Sequence, residues 1–309
     1  MPSRPRVSIV LIFLDEERFL DAAIDSVRAQ SFRDWELLLV DDGSSDGSGE
    51  IARRHAASDP DRVRYLEHPG HSNLGPSAAR NAGIAASHGE FIAFLDGDDV
   101  WLPERLARAV ALLDAHPEAD MAYARTQYWW SWAGPEAKER DWDQPHGFRA
   151  DRTIAPPELL RKFLEGEAAV PCIGTLTLRR EAVVSCGGFV DEFRGLYEDQ
   201  VFLARVCIGH AVYVSSDLWD RYRQHPDSAC ATAARSDASD RARDAYLAWL
   251  VQFLASRGLR GTPLWEAALR AGKPRSRRWH ARMARALRQA ARRFLGADGD
   301  AARRIAGDP

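Results

Sequence analysis

The sequence predicts an α/β fold with a mostly parallel central sheet flanked by helices, and three observations carry that expectation. Apolar runs of strand length alternate with stretches of helical periodicity over the first 125 residues. Two of those runs, ELLLV and EFIAFL, break off into acidic clusters, DDGSSDGS and DGDD. Both clusters fall at strand ends, the place where open α/β sheets gather ligands. The 309 residues, 45% hydrophobic, suffice for one large α/β domain with an appendage or for two small domains.

VSIVLIFL (7–14) is a β-rich run, and the segment after it places Phe19, Leu20, Ala23, Ile24 and Val27 on one helical face. ELLLV (36–40) is a second strand. Its DDGSSDGS end is rich in turn and cap residues and opens a helix expected to reach residue 57. Val63 to Glu67 reads as a third strand, PSAARNAGIAAS (76–87) as a helix of small residues and EFIAFL (90–95) as a fourth strand. Pro103 suits a helix's first turn, and that helix is expected to run to His116, ahead of a short strand at Met121 to Ala124. Residues 126–150 lose periodicity yet hold Tyr128, Trp129, Trp130, Trp132 and Trp142, dense for a loop. A helix near 157–165, a strand near 174–178 and a helix from Tyr197 follow. ACATAARSDASD (229–240) is small and polar and reads as a linker; 241–309 is helical by composition.

The formal net charge of -3 conceals an uneven layout, because 9 Lys and Arg fall between Lys273 and Arg293 with no acidic residue among them. Trp279, Met283, Leu287, Ala290 and Phe294 recur there at helical spacing, interleaved with Arg282, Arg285, Arg288, Arg292 and Arg293. Such a helix lies on an anionic membrane surface or packs on an acidic face of its own protein. No recognition motif for nucleic acid accompanies the charge, so that partner is not expected. Cys172, Cys186, Cys207 and Cys230 are scattered, without Cys-x-x-Cys spacing, which points to a reducing, cytoplasmic setting rather than a disulfide framework or zinc site. The first apolar run continues into Asp15-Glu16-Glu17, as a buried strand does and a signal peptide does not. No stretch reaches the roughly 18 apolar residues of a membrane span. A soluble protein is expected, peripheral to the inner face of a membrane if the tail binds one.

In DGDD, three carboxylates need solvent or a cation to neutralise them. Asp96 and Asp98 lie two apart at a strand end, where extended backbone directs both to the same side. Oxygen ligands of that kind suit Mg²⁺ or Mn²⁺ bridging a diphosphate.

Six elements occur in order: VSIVLIFLDEERFLDAAIDSVRAQSF, LLLVDDGSSDGS, NLGPSAARNAG, FIAFLDGDDVWLP, GGF followed by YEDQ, and YRQHPDS. Together, over about residues 6–228, the chain resembles the inverting glycosyltransferases of family 2, with the GT-A fold. The resemblance implies a Rossmann-like sheet in a catalytic domain of residues 1–228, with a donor half of about 1–125 and an acceptor half of about 126–228. The 229–240 linker and a helical C-terminal extension, 241–309, would follow. It also implies a nucleoside-diphosphate sugar donor, Mn²⁺ or Mg²⁺, and inverting transfer to a hydroxyl on a glycan, lipid-linked or small-molecule acceptor, chemistry used in polysaccharide biosynthesis.

By the same resemblance, Asp98 is a direct metal ligand, Asp96 faces the ribose or reaches the metal through water, and Asp99 is a ligand or a helix cap. Asp42, beside Asp41, accepts the imide N–H of uracil or thymine, while Asn73 and Arg80 contact the nucleotide-sugar. Asp199 is the base that takes the acceptor's proton, with Glu198 orienting acceptor or donor. His225 is a further metal ligand, and Arg221, Arg223 or Ser228 bind phosphate oxygens. Trp129, Trp130 and Trp132 fall where the family builds its acceptor side. Plainer readings stand beside these: Asx-turns or N-caps for Asp41 and Asp42, helix-start carboxylates for Glu198 and Asp199, and tryptophans that merely fill a gap.

One departure concerns the base. Family members commonly carry Pro, Thr and Tyr at the end of the first strand, where this chain has Leu11, Ile12 and Leu14. Phe13 is left to stack on the base, with uridine or thymidine diphosphate expected first. Two competing functions are a non-catalytic sugar-nucleotide binding module, opposed by the presence of both Asp98 and Asp199, and an aspartate-nucleophile phosphohydrolase, whose motif should lie early in the chain and which Val100 and the position of Asp96 fit poorly.

Overall fold

The structure is a computed structural model and describes residues 4–233 and 235–272. It begins with β1 (Val7–Phe13), α1 (Leu20–Arg28), β2 (Trp35–Asp41), α2 (Ser48–Ser58), β3 (Val63–Glu67), α3 (Pro76–Ala86) and β4 (Phe91–Asp96). These strands pair in parallel in the order β3-β2-β1-β4. Every residue of β1 and β2 is buried, which is why both read as continuous rather than alternating apolar runs. Their side chains still alternate between two layers. Val10, Ile12, Leu38, Val40 and Phe94 join one core with Ala79 of α3, whereas Ile9, Leu11, Leu37, Leu39 and Leu95 join another with Leu20, Ile24 and Val27 of α1. The helical face expected from Phe19 to Val27 is buried as a unit.

Next come β5 (Val100–Trp101), α4 (Arg105–Ala115), β6 (Met121–Trp129), β7 (Trp142–Asp143), β8 (Arg152–Ile154), α5 (Glu158–Glu165), β9 (Thr177–Arg179), α6 (Arg180–Cys186), α7 (Glu198–Cys207) and β10 (Val212–Arg223). The sheet runs β3-β2-β1-β4-β9-β6-β10-β5, with β7 on β6 and β8 on β10. β9 is antiparallel to both of its neighbours, while β6 and β10 are parallel.

Two expectations change, and one strand is added. The strand at Met121 does not stop at Ala124 but continues to Trp129, because β10 pairs with it from Val212↔Met121 to Arg223↔Trp129. β10, the longest strand described, had no expectation at all. Its VYVSSDLWDRYR reads as polar and irregular, with register shifts on either side of Leu218. The segment 174–178 divides into a 3-10 turn, Ile173–Thr175, and β9.

The linker expected at 229–240 contains α8 (Ala229–Ala233) and the start of α9 (Ala238–Ser256), followed by α10 (Pro263–Gly272). α9 supplies Tyr246, Leu247, Leu250 and Leu254 to the core that holds Val201 and Phe202 of α7. The compact unit therefore runs from Met1 to Ala271, not to 228. The second unit, Gly272–Pro309, holds the basic tail and lies outside the described residues but for its first. No described helix is long and apolar enough to cross a membrane, and all four cysteines are free.

Candidate active site

The carboxyl ends of β1, β2 and β4 bring the acidic motifs to one edge of the sheet. Asp41 closes its own turn: its carboxylate accepts from the amides of Gly43 at 3.1 Å and Ser44 at 2.8 Å, and from the Tyr65 hydroxyl at 3.0 Å. Gly43 has φ +88°, and an added Cβ would stand 2.7 Å from the Asn73 amide nitrogen, so this turn requires glycine. Asp42 reaches across the gap, accepting from the amides of Leu74 and Gly75, both at 2.9 Å. The doublet thus joins β2 to the segment that enters α3. Asn73 is exposed, and its carbonyl accepts from Arg194.

Arg80 is 2% exposed and carries the connection onward. Its guanidinium donates to Asp96 at 2.6 Å and to Glu198 at 3.1 Å, and lies 5.3 Å from the Phe189 ring. Burial opposes its charge, but Asp96 and Glu198 outweigh burial and hold Arg80 protonated. One buried arginine thereby ties NLGPSAAR, the DGDD strand, GGF and YEDQ into one site.

In DGDD the three carboxylates have separate surroundings. Asp96 is held by Arg80, and burial raises its pKa. The Asp98 carboxylate lies 3.1 Å from His225 Nε2, and its backbone carbonyl accepts from Arg223 Nε at 2.6 Å. Asp99, 3% exposed, accepts from the Arg223 amide at 2.8 Å and so fastens the cluster to β10. Burial, then Asp98 and Asp96, push Asp99 well above the usual carboxylate range.

Arg223 sits in an aromatic cage, 4.7 Å from Phe19, 4.7 Å from Trp129 and 5.3 Å from Trp132. Trp132 is itself anchored by its indole N–H on the Gln224 carbonyl at 2.9 Å. Trp129 and Trp132 therefore hold a cationic side chain in place, a use the sequence reading of an acceptor platform did not foresee. Trp130 packs elsewhere, 3.6 Å from the Arg140 guanidinium. Arg223 Nη2 and His225 Nδ1 are buried without a hydrogen-bond partner among the described residues.

Glu198 and Asp199 open α7. Glu198 is pushed up to about 7 by burial and then by Asp199, and Asp199 is raised by burial while accepting from the Gln200 amide at 2.7 Å. Ser228 accepts from the Ala231 amide at 3.2 Å and so caps the start of α8. Phe13 is 3% exposed within the core, so the aromatic expected to stack on a base faces inward.

Glu16 is the site residue that motif reading missed. It follows β1 and is pushed up to about 8 by burial, then by Asp98, Asp96 and Asp46. Its signal was LDEER directly after an apolar strand, read only as the end of that strand. Among the described residues no group of three His, Cys, Asp or Glu side chains converges to hold an ion; Asp98 and His225 form a pair, and Asp96 is engaged by Arg80.

The family model described as glycosyl transferase family 2 matches residues 8–188. O-antigen biosynthesis protein RfbC of Myxococcus xanthus is 32% identical over 267 residues, 82% of this chain and 18% of that protein. The chain spans less than half the length of the curated relatives it matches. Among solved structures, S. aureus TarS 1-349 in complex with UDP-GlcNAc has a TM-score of 0.64 at 18% identity, covering 86% of this chain and 70% of that one. Mannosyltransferase PcManGT from Pyrobaculum calidifontis, in complex with GDP-Man and Mn2+, has a TM-score of 0.58 at 18% identity, covering 87% and 74%. The structural likenesses establish a GT-A fold, and with the match over 8–188 they place this chain in glycosyl transferase family 2.

Proposed function

We propose that the chain is a metal-assisted, inverting glycosyltransferase that moves a sugar from a nucleoside diphosphate, UDP or dTDP by preference, to a hydroxyl on a glycan, lipid-linked or small-molecule acceptor. The observation that carries this reading is the unpartnered Arg223 Nη2, buried beside the Asp98–His225 pair. A buried guanidinium N–H without an acceptor fits an anionic oxygen brought by substrate.

The residues present suit Mn²⁺ or Mg²⁺. Asp98 offers a hard oxygen and His225 an imidazole, with the remaining positions left to phosphate and water, as is usual for these ions. The ion, when bound, supplies charge neutralisation at the departing diphosphate. Arg223 binds a phosphate oxygen, while Arg80 keeps Asp96 turned toward the ribose. Asp42 shapes the base end of the site and has a lone pair left for an imide N–H besides its two amide donors.

Asp199 takes the acceptor's proton as that oxygen bonds to the anomeric carbon. The bond from this carbon to the diphosphate oxygen breaks on the opposite face, giving an inverted glycoside and a nucleoside diphosphate. Glu198, paired with Arg80, orients the reacting sugars. Acceptor contact falls to the other face of β6, where Tyr128 stacks on the exposed Trp142 at 4.4 Å. Two relatives in structure were solved with UDP-GlcNAc and with GDP-Man plus Mn2+, which supports a nucleotide-sugar donor and a divalent ion.

The test is calorimetric binding of UDP, dTDP and GDP, with Mn²⁺ or with chelator, to wild type and Asp98→Ala. Metal-dependent binding of one nucleotide, lost in the variant, is expected. No binding of any would overturn the reading. For the basic tail, contact with anionic membranes predicts flotation with anionic liposomes that disappears when residues 273–309 are removed.

A further inference from the structure

We infer that helix α9 is part of the transfer site, with Tyr246 acting as a positioning residue that stacks on Tyr197 and holds the first turn of α7 so that Glu198 and Asp199 face Arg80. The inference rests on the glycosyltransferase reading above.

Tyr197 immediately precedes the carboxylate pair and has φ 73° and ψ 3°, in the left-handed region. For a residue with a side chain this conformation costs about 1–2 kcal/mol. No side-chain cap opens α7, and a neighbouring helix packs against the residue. The packing comes from α9. The Tyr246 ring lies 5.5 Å from that of Tyr197 with 23° between the planes, and Tyr246 is 5% exposed. Leu247 and Leu250, on the same helix, join Val201 and Phe202 of α7 in one core, which leaves the stacked ring little room to move. Tyr246 also lies within electrostatic reach of Asp199.

The left-handed residue sets the direction in which the chain enters α7. Relaxation of Tyr197 to negative φ would swing the first turn and pull Glu198 off Arg80, now at 3.1 Å. Both tyrosines and both carboxylates lie beyond residue 188, where the family match ends. The family match thus covers the DDGS and DGDD motifs, while helix α9, beyond its end, sets the geometry of the base.

The experiment is a double-mutant cycle on the full chain with Tyr246→Ala, Tyr246→Phe, Tyr246→Leu and Tyr197→Gly. The readouts are amide hydrogen exchange at residues 196–200, nucleotide affinity, and release of nucleoside diphosphate from the sugar nucleotide of the calorimetrically selected base, with water as acceptor. Tyr246→Ala is expected to lower kcat by about tenfold or more, as a misplaced catalytic group does, with donor KM and nucleotide affinity unchanged and exchange at 196–200 accelerated. Tyr246→Phe, which keeps the ring, should restore wild-type kcat. In the Tyr197→Gly background, where glycine adopts positive φ without strain, Tyr246→Ala should cost less than about threefold, a coupling expected of residues in contact.

The inference is overturned if folded Tyr246→Ala keeps kcat within about twofold of wild type, if its loss is the same in both backgrounds, or if Phe does not rescue. Should the alanine variant fail to fold, Tyr246→Leu keeps apolar volume without a flat ring and is read by the same criteria. Failure of the underlying reading looks different: wild type binds no nucleotide, or Asp199→Asn retains full kcat. The exchange at 196–200 then still decides whether Tyr246 holds the turn.

Discussion

At the scale of single residues, environment separates side chains that the sequence presents as equivalent. Asp41 and Asp42 are adjacent and identical in chemistry, yet one closes a turn and the other bridges to the next segment. Asp96, Asp98 and Asp99 likewise meet an arginine, a histidine and a backbone amide. The doublet and triplet were legible in the sequence because apolar strands lead into them; the partners of Asp42, Asp96, Asp98 and Asp99, supplied from residues 74 to 225, were not. Asp220 carried no motif at all. It is fully buried in β10, where an added Cβ on Gly174 would come within 2.5 Å of its carboxylate, and burial pushes it up to about 7 against the pull of Thr126 and Arg105. A folded-state pKa raised above the unfolded value means that the native state holds the proton longer. Native stability therefore falls as pH rises from about 4 to about 7, by up to roughly 4 kcal/mol for a shift of that size. Urea denaturation of Asp220→Asn should show wild-type stability near pH 4 and greater stability than wild type at pH 8. Parallel pH profiles for the two proteins would refute the burial argument.

At the scale of elements, β1, β2 and β4, buried along almost their whole length, were legible in the sequence, whereas β10, which pairs at long range, was among the strands missed. β6 and β10 turn alternate residues to opposite sides. Tyr128 meets Tyr222 at 5.2 Å on one face, and on the other Arg221 donates to Gln127 at 3.1 Å while Arg223 lies over Trp129. That alternation sorts the aromatics of 126–150 into two jobs, but it exists only once β10 has found its partner. No local pattern in VYVSSDLWDRYR announces it. The small-residue helix α3 was legible for a plain reason, close packing. An added Cβ at Gly83 would stand 2.4 Å from Val10 Cγ1 in β1. Gly83→Ala should accordingly destabilise by about 1–3 kcal/mol through overpacking, measurable by urea denaturation. Because α3 also carries Arg80, weaker nucleotide binding should accompany the loss.

At the scale of the whole molecule, the expected boundary after residue 228 gives way to a unit that runs to Ala271. Leu250 and Leu254 are fully buried, Leu247 and Leu264 nearly so, and a chain ending at Ser228 would expose the surface they cover. Compared with a chain ending at Gly272, it should lose its cooperative thermal transition and bind 8-anilinonaphthalene sulfonate. An equally sharp transition at the same temperature would show that α9 and α10 add nothing to the fold. The sequence by itself determined the α/β class, the four strands β1 to β4 of a mostly parallel sheet, and the order of the acidic and basic motifs, because these depend on local periodicity and on carboxylates placed at strand ends. Only the tertiary structure decided which carboxylate meets which cation, that tryptophans cage Arg223, and that α9 closes over the start of α7. Each of those is a contact between residues far apart in the chain, created by burial and long-range pairing rather than by any neighbouring pattern.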